Sequence, residues 1–487
     1  MVISNIFENA PAIEIKDIMT DSRVKMEEAI FFCIIGLVND GHNFIAQAIE
    51  NGAICIVHSR ELDKYYEGIT YLKVGDTLTA LNQFVCAYYG DVTKDMTVYG
   101  VTGTNGKSTV AWVIRYLISR FKKCGYIGTM GYMWDDTVND TFLTTPDVEV
   151  LHKMLKEIYD HGCRDISIEV SSQGLDLRRI DAVKFDYVIF TNLTHDHLDY
   201  HGTMENYYLA KEKMFKIVGP EQTGIINIDD SYAERIIKAA KCKTVTFGID
   251  NKADYKANKV RLFKDHTEFE LECKGRTYQI NTNLVAKFNV SNLLAALAAL
   301  AEAGYDIAEL IPYLDNIPQV MGRVQIIDCG QNFNVIVDYA HTPDGYEKIY
   351  EYINSITEKG KRIITVFGAH GARDYKKRPM IGKIADENSD VLILSAEDDH
   401  WEDPYEICKE IAGGITKNSW AYIADRYDAI RQGIELANEG DTVCILGKAA
   451  EQYFKIGDGK VYWMGDDNAA IDILNKYIKG ENNNENQ

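Results

Sequence analysis

MTVYGVTGTNGKSTVAWVIRYLISRF, residues 96–121, reads as a buried strand, a glycine-rich turn and an apolar helix in immediate succession. Such a turn points backbone N–H groups and a helix N-terminus at an anion, so it can surround phosphate oxygens. Gly103, Thr104, Asn105, Gly106, Lys107, Ser108 and Thr109 are the candidate phosphate-binding residues. Lys107 would neutralise charge, and Ser108 or Thr109 would reach a magnesium ion. The strict motif places a further glycine five positions before Gly106, where this chain has Val101. A turn that only caps a helix beside a surface lysine is the alternative, and the flanking strand and helix favour a nucleotide.

Outward from this stretch, apolar strand-like runs alternate with helical patterns along most of the 487 residues, as in an α/β protein built on largely parallel sheets. At roughly 150 residues per domain the length allows about three domains. The boundaries fall at residues 1–93, 94–321 and 322–480, and the tail 481–487, ENNNENQ, is too polar to pack and is expected to be disordered. ISIEVSS and YVIFTNL are further strands of the second segment. FNVIVDYA, RIITVFGAHG, VLILSAED and TVCILGKAA are strands of the third.

Lys+Arg 52 against Asp+Glu 73 gives a net charge of −21, which repels nucleic acid and anionic membrane surfaces. No apolar run reaches the roughly 18 residues of a membrane span, and no signal peptide is visible. The 10 cysteines are scattered without a CxxC pair, the usage of a reducing compartment, so a cytoplasmic protein is expected.

ISIEVSSQG ends a strand with Glu169, and FTNLTHDHLDYHG places His195, Asp196, His197 and His201 just beyond another. Ligands of doubly wound sheets bind at the C-terminal strand edge, so these groups should converge near the phosphates. Carboxylate with histidine at that edge suggests metal ions rather than a serine-type triad. Taken singly, His195 and His201 read equally well as satisfied surface or core residues. By the general rule for lysines, Lys211 in YYLAKEKMFKI reads as an exposed helical residue, and so does Lys213.

With GVTGTNGKSTV, the motifs TTPD (144–147), EVSSQGL (169–175), NLTHDHLDYHG (192–202), AKEKMF (210–215), FNVSNLLAALA from Phe288, MGR (321–323) and DYAHTPD (338–344) occur in an order that resembles the Mur ligase family. DSR (21–23), followed by DGHNFIAQAIENGA, is similar to the nucleotide-sugar domain of members that add the third residue of the peptidoglycan stem peptide. The resemblance implies a UDP-binding α/β domain, a central P-loop-like ATPase domain on a mostly parallel sheet, and a C-terminal Rossmann-like α/β domain. It also implies an ATP-dependent ligase that activates a substrate carboxylate as an acyl phosphate, which an amine attacks to give an amide.

On that resemblance Lys107 and its neighbouring amides hold the outer phosphates, and Ser108 and Glu169 serve one magnesium ion. His197 serves a second ion together with Lys211 as a carbamate. Arg323 reaches the γ-phosphate, and Asn289, Asp338 and, more weakly, His341 contact the nucleotide. Ser22, His42 and Asn43 belong to the uridine end, and Thr144, Thr145, Ser171 and Arg179 to the muramoyl-dipeptide. Where a glutamine is expected two residues before Arg179, this chain has Leu177.

In the third segment Arg373 is implied to bind the α-carboxylate of the incoming amino acid, and Gly447 and Glu451 an amino group. Diaminopimelate-adding members carry Asp-Asn-Pro-Arg shortly before a Glu-Asp-Pro anchor, and this chain has Glu397, Asp398, Asp399 and His400 before Glu402, Asp403 and Pro404. Three acids, with histidine in place of arginine, favour a terminal ammonium over a second carboxylate, so L-lysine is expected ahead of meso-diaminopimelate. The expected partners are UDP-N-acetylmuramoyl-dipeptide and a free diamino acid, the cofactors ATP and magnesium, and the chain a monomer. The alternatives are a folylpolyglutamate- or cyanophycin-type ligase, a P-loop ATPase without ligation, and a nucleotide-binding regulator. The DSR-containing first segment argues against a folate substrate.

Overall fold

The computed structural model describes residues 1–8, 10–36, 39–141 and 143–484. It contains three α/β layers. The first sheet has four parallel strands in sequential order, Asp17–Met19, Ala29–Phe32, Ala53–His58 and Thr70–Lys73. The helix Thr77–Tyr89 covers it, starting where the Asp76 carboxylate accepts the Thr79 N–H at 2.7 Å.

The second sheet has 11 strands. Its centre is parallel, running Lys243–Gly248, Thr223–Asn227, Tyr187–Phe190, Thr97–Thr102, Asp165–Glu169 and Cys124–Gly128. Asp165–Glu169 and Thr223–Asn227 are buried at every residue because helices cover both faces. Lys107–Ile118 and Lys287–Glu302 pack into one core, and Val148–Asp160 and Met204–Ile217 into the other. Antiparallel strands close both edges, Gly131–Trp134 and Thr137–Asn139 at one and Thr267–Cys273 and Arg276–Thr282 at the other.

The third sheet orders Gln325–Ile326, Asn334–Asp338, Thr442–Leu446, Ile363–Phe367, Val391–Leu394 and Trp420–Tyr422, all parallel except the first. The strands proposed from the apolar runs of this segment are all present. The final helix, Asp466–Asn484, extends into the segment 481–487 expected to be disordered, and residues 485–487 lie outside the described ones. All 10 cysteines are free, and among the described residues no helix is long and apolar enough to cross a membrane.

Crossover connections require the chain to leave each parallel strand at the same edge, so the phosphate turn, Glu169, the segment 191–197, Asp338 and the segments 368–373 and 395–400 all emerge at C-terminal strand ends. The helix Lys287–Glu302, buried almost all round, fixes that edge from behind. Leu297→Ala in this helix should lower stability by about 2–5 kcal/mol, as for other Leu truncations in tight cores. A denaturation midpoint equal to wild type would contradict the packing described.

Candidate active site

The phosphate turn is held in a shape that only glycine permits at two points. Gly106 has φ +87°, and a Cβ there would lie 2.3 Å from Asn292 Oδ1. A Cβ on Gly103 would lie 1.8 Å from Thr191 Oγ1. Asn192 Oδ1 accepts the Asn105 N–H at 2.8 Å and locks the turn to the next strand end.

Two lysines meet at this turn. Lys107 Nζ donates to the carbonyls of Gly103 (2.9 Å) and Thr104 (2.8 Å), and Lys211 Nζ donates to the same Gly103 carbonyl at 2.8 Å. Lys211 is 1% exposed, contrary to the surface position its helix pattern suggests. Burial, reinforced by Lys107 nearby, holds it well below the ordinary lysine range, and burial lowers Lys107 as well. Lys213 pairs with Asp176 on another face of the helix, at 2.5 Å.

Glu169 is fully buried at its strand end and accepts hydrogen bonds from Ser108 Oγ (2.9 Å), the Thr129 N–H (3.0 Å), Thr129 Oγ1 (3.3 Å) and the Tyr126 phenol. This cluster of oxygen atoms suits the hard donor set that magnesium prefers. Asp196, also buried, faces His197 at 3.4 Å, His341 at 3.6 Å and Lys377 at 3.8 Å. Burial acts to raise its pKa, yet His197, His341 and Lys377 together hold the carboxyl well below its usual range. Burial pushes His197 down to about 3, so its imidazole is neutral and able to ligate a metal. His197 with an unmodified Lys211 offers too few oxygen atoms for magnesium, and that pair fits the ion only if Lys211 becomes an anion. Among the described residues no group of three or more His, Cys, Asp or Glu side chains could hold a metal. His195 turns to Asp374 at 3.5 Å, and His201 bonds Ser172 at 2.9 Å.

Glu169, Asp196 and His197 line one cleft with Lys107, Ser108, Thr144, Thr145, Ser171, His341, Arg373, Glu451, Arg323, Tyr453 and Lys455, whereas Lys211, His195 and His201 are not among its lining residues. It adjoins a cavity of about 500 Å³ lined by Thr109, Asn292, Arg323, Asp338, Asp344 and Lys348. Arg323 stacks on the Tyr339 ring at 4.6 Å. Asp338 accepts the N–H groups of Val324 and Ala340, both at 2.7 Å, and burial raises its pKa. Asn289 does not reach the cavity: its Oδ1 holds the Asn292 amide at 3.0 Å, so Asn292 is the lining residue.

A third cavity, about 630 Å³, lies between the first and second sheets and includes Ser22, Gln47, Leu177 and Arg179. His42 and Asn43 stay outside it. His42 is a brace, bonded to Asp40 at 2.6 Å and accepting the Ser59 N–H at 3.1 Å. Arg179 Nη1 donates to the Thr145 carbonyl at 3.1 Å, and the residue borders both this cavity and the cleft. Thr145 Oγ1 in turn donates to the Glu169 carbonyl and accepts the Ser171 N–H, each at 2.9 Å.

The segment 397–400 departs from the sequence expectation. Glu397 and Asp398 are 4% and 0% exposed and do not line the cleft. Glu397 accepts the Gly368 N–H and faces Arg426 at 3.7 Å, filling space that a Cβ on Gly447 would invade at 1.9 Å. Asp398 Oδ1 binds Lys448 Nζ at 2.7 Å, and Lys448 also binds Glu451 at 2.6 Å. Neither acid faces the cleft, because each is turned inside the layer towards a cation the sequence reading did not single out: Arg426, which also pairs with Asp466 at 2.8 Å, and Lys448.

The Mur ligase middle-domain model matches residues 101–300, and the model described as Mur ligase, glutamate ligase domain matches residues 322–449. The chain belongs to the Mur ligase family and is an ATP-dependent amide ligase. It is 38% identical over 472 residues, 96% of each chain, to the UDP-N-acetylmuramoyl-L-alanyl-D-glutamate–2,6-diaminopimelate ligase of Syntrophomonas wolfei. It is 35% identical over 455 residues, 92% of each chain, to UDP-N-acetylmuramyl-tripeptide synthetase 2 of Oceanobacillus iheyensis. A solved structure of a UDP-N-acetylmuramoyl-L-alanyl-D-glutamate–2,6-diaminopimelate ligase superposes with TM-score 0.68 at 28% identity, covering 98% of this chain and 99% of that one.

Burial raises Glu397 from an ordinary value of 4.5 to about 7. The folded state then keeps a proton that the unfolded state has lost, so this group's contribution to stability falls as pH rises from 4.5 to about 7. Glu397→Gln should flatten that part of the profile. Denaturation midpoints of both proteins across the interval check it, and parallel curves would contradict the assignment.

Proposed function

We propose that the chain joins a diamino acid to the D-glutamate of UDP-N-acetylmuramoyl-L-alanyl-D-glutamate, using ATP and magnesium, as a cytoplasmic step of peptidoglycan precursor synthesis. The observation that carries the reading is continuity. The cleft holding Lys107, Glu169 and His197 adjoins one cavity at Arg323 and another at Arg179, so three ligands can meet at one phosphate turn. The names of relatives 36–38% identical over nearly the whole chain support the same substrate. The three sheets are taken as three domains, with boundaries near residues 93 and 321, acting as a monomer.

In this reading ATP places its base in the cavity beside Asn292 and Asp338 and its outer phosphates at the turn. Transfer of the γ-phosphoryl group to the substrate carboxylate demands positioning and charge neutralisation. Lys107 and the turn amides hold the phosphates, and Arg323 offsets charge on the γ-phosphate. Magnesium, held by Ser108 and Glu169, supplies further charge neutralisation. Lys211 is proposed to carry a carbamate that joins His197 at a second ion. Its dry position beside Lys107 favours the neutral amine, the form that reacts with carbon dioxide. Thr144, Thr145, Ser171 and Arg179 orient the muramoyl-dipeptide, Arg373 binds a carboxylate of the amino acid and Glu451 its ammonium.

The amino acid is proposed to be meso-diaminopimelate ahead of L-lysine. This reverses the sequence preference, since Glu397 and Asp398 are engaged inside the layer and the first relatives are named as diaminopimelate ligases.

Phosphate release should require both the UDP-sugar dipeptide and a diamino acid. Release with neither would leave a plain ATPase. Lys107→Ala should cut turnover by about 100- to 1,000-fold, the cost of one lost transition-state contact, with the fold intact by circular dichroism. Lys211→Ala should lose most activity and recover part of it with a short carboxylic acid. Carbon NMR of the wild type with labelled bicarbonate should show a carbamate signal that this variant lacks, and its absence from the wild type would refute the modification.

A further inference from the structure

We infer that Lys455 is the cation that reads the distal carboxylate of the diamino acid, in place of the arginine missing at position 400. The inference rests on the ligase reading above. His400 itself is outside the cleft. Its N–H donates to the Lys455 carbonyl at 3.1 Å, its own carbonyl accepts the Gly457 N–H, and its buried Nε2 has no hydrogen-bond partner. The segment 397–400 is thereby clamped onto the strand Tyr453–Ile456.

Side chains alternate along a strand, so Tyr453 and Lys455 share a face, and both line the cleft with Arg373 and Glu451. The side chain of Lys455 is 31% exposed, and among the described residues its Nζ makes no hydrogen bond. Its nearest carboxylate oxygen, Asp398 Oδ2, is 3.9 Å away, while Asp398 Oδ1 is already taken by Lys448 Nζ at 2.7 Å and by the Lys455 N–H at 3.0 Å. Burial, with the nearby Arg373 and Lys448, holds Lys455 below the ordinary lysine value against the pull of Asp398 and Glu451, and an incoming carboxylate would favour its charged form. Around the far end of the amino acid, Lys448 is offset by Asp398 and Glu451, and Lys455 is left with free donors facing the ligand.

A ligand with carboxylates at both ends satisfies this wall, one on Arg373 and the other on Lys455, with its distal ammonium on Glu451. L-lysine brings the ammonium alone and sets it beside a like charge. The preference for two carboxylates then resides in the strand Tyr453–Ile456 rather than in the segment that precedes Glu402.

The test compares kcat and KM for meso-diaminopimelate and L-lysine in wild type, Lys455→Met, Lys455→Gln and Lys455→Arg, at saturating ATP and UDP-sugar dipeptide. Hydrogen bonds to charged groups set the expected size: Met or Gln lowers the kcat/KM ratio of meso-diaminopimelate over L-lysine by about 10- to 100-fold, chiefly through KM for meso-diaminopimelate, and Arg restores it. An unchanged ratio, or equal losses for both amino acids, overturns the assignment. A wild type that prefers L-lysine overturns it while leaving the ligase reading in place. A wild type that ligates neither overturns both.

Discussion

Two lysine amines converge on a single carbonyl. Lys107 and Lys211 both donate to Gly103, Lys211 buried and Lys107 half-buried at the wall of the cleft. Holding a proton on both amines at once is unfavourable there, and the fold supplies no anion within hydrogen-bond reach of either amine among the described residues, so both are held below the ordinary lysine range. The arrangement leaves Lys107 to meet an incoming anion and Lys211 as the amine whose proton is held least firmly. Much of the central layer serves this pairing: the positive φ at Gly106, the Asn192 and Thr191 contacts that hold the turn, and the helix Met204–Ile217 that delivers Lys211.

The carboxylates are organised differently. Glu169 is surrounded by hydroxyl and N–H donors and has no cation paired with it among the described residues. Asp196 instead gathers His197, His341 and Lys377, the last two from the third segment, and so ties the third layer to the second across the cleft. Asn105 and Asp344 add a second tie at 2.9 Å. The phosphate turn is therefore coupled to a helix start almost 240 residues further along the chain.

What the sequence made legible follows from range. The phosphate turn, the buried strands and the strand-end residues are local patterns, and the parallel sheet then dictates that they share an edge. Residues whose role depends on a distant partner were harder to read. Asn292 sits one helical turn from Asn289, and nothing local says which of the two amides faces the cavity. Glu397 and Asp398 read as acids facing the incoming amino acid until Arg426 and Lys448, far along the chain, are placed against them. Lys211 read as exposed because helical periodicity marks an apolar face and says nothing of a polar cavity beyond it. The antiparallel edge strands alternate buried and exposed side chains, and so lack the continuous apolar runs that betray the central ones.

Arg179 borders both the cavity between the first two layers and the reaction cleft. Because its guanidinium is fixed by the Thr145 carbonyl and by Asp147 at 2.8 Å, the separation between the two compartments is set by the protein. A ligand anchored in the outer compartment can present a reactive end at the phosphate turn only if its own length matches that spacing. Length thus enters recognition beside the groups at the two ends of a ligand that spans both compartments.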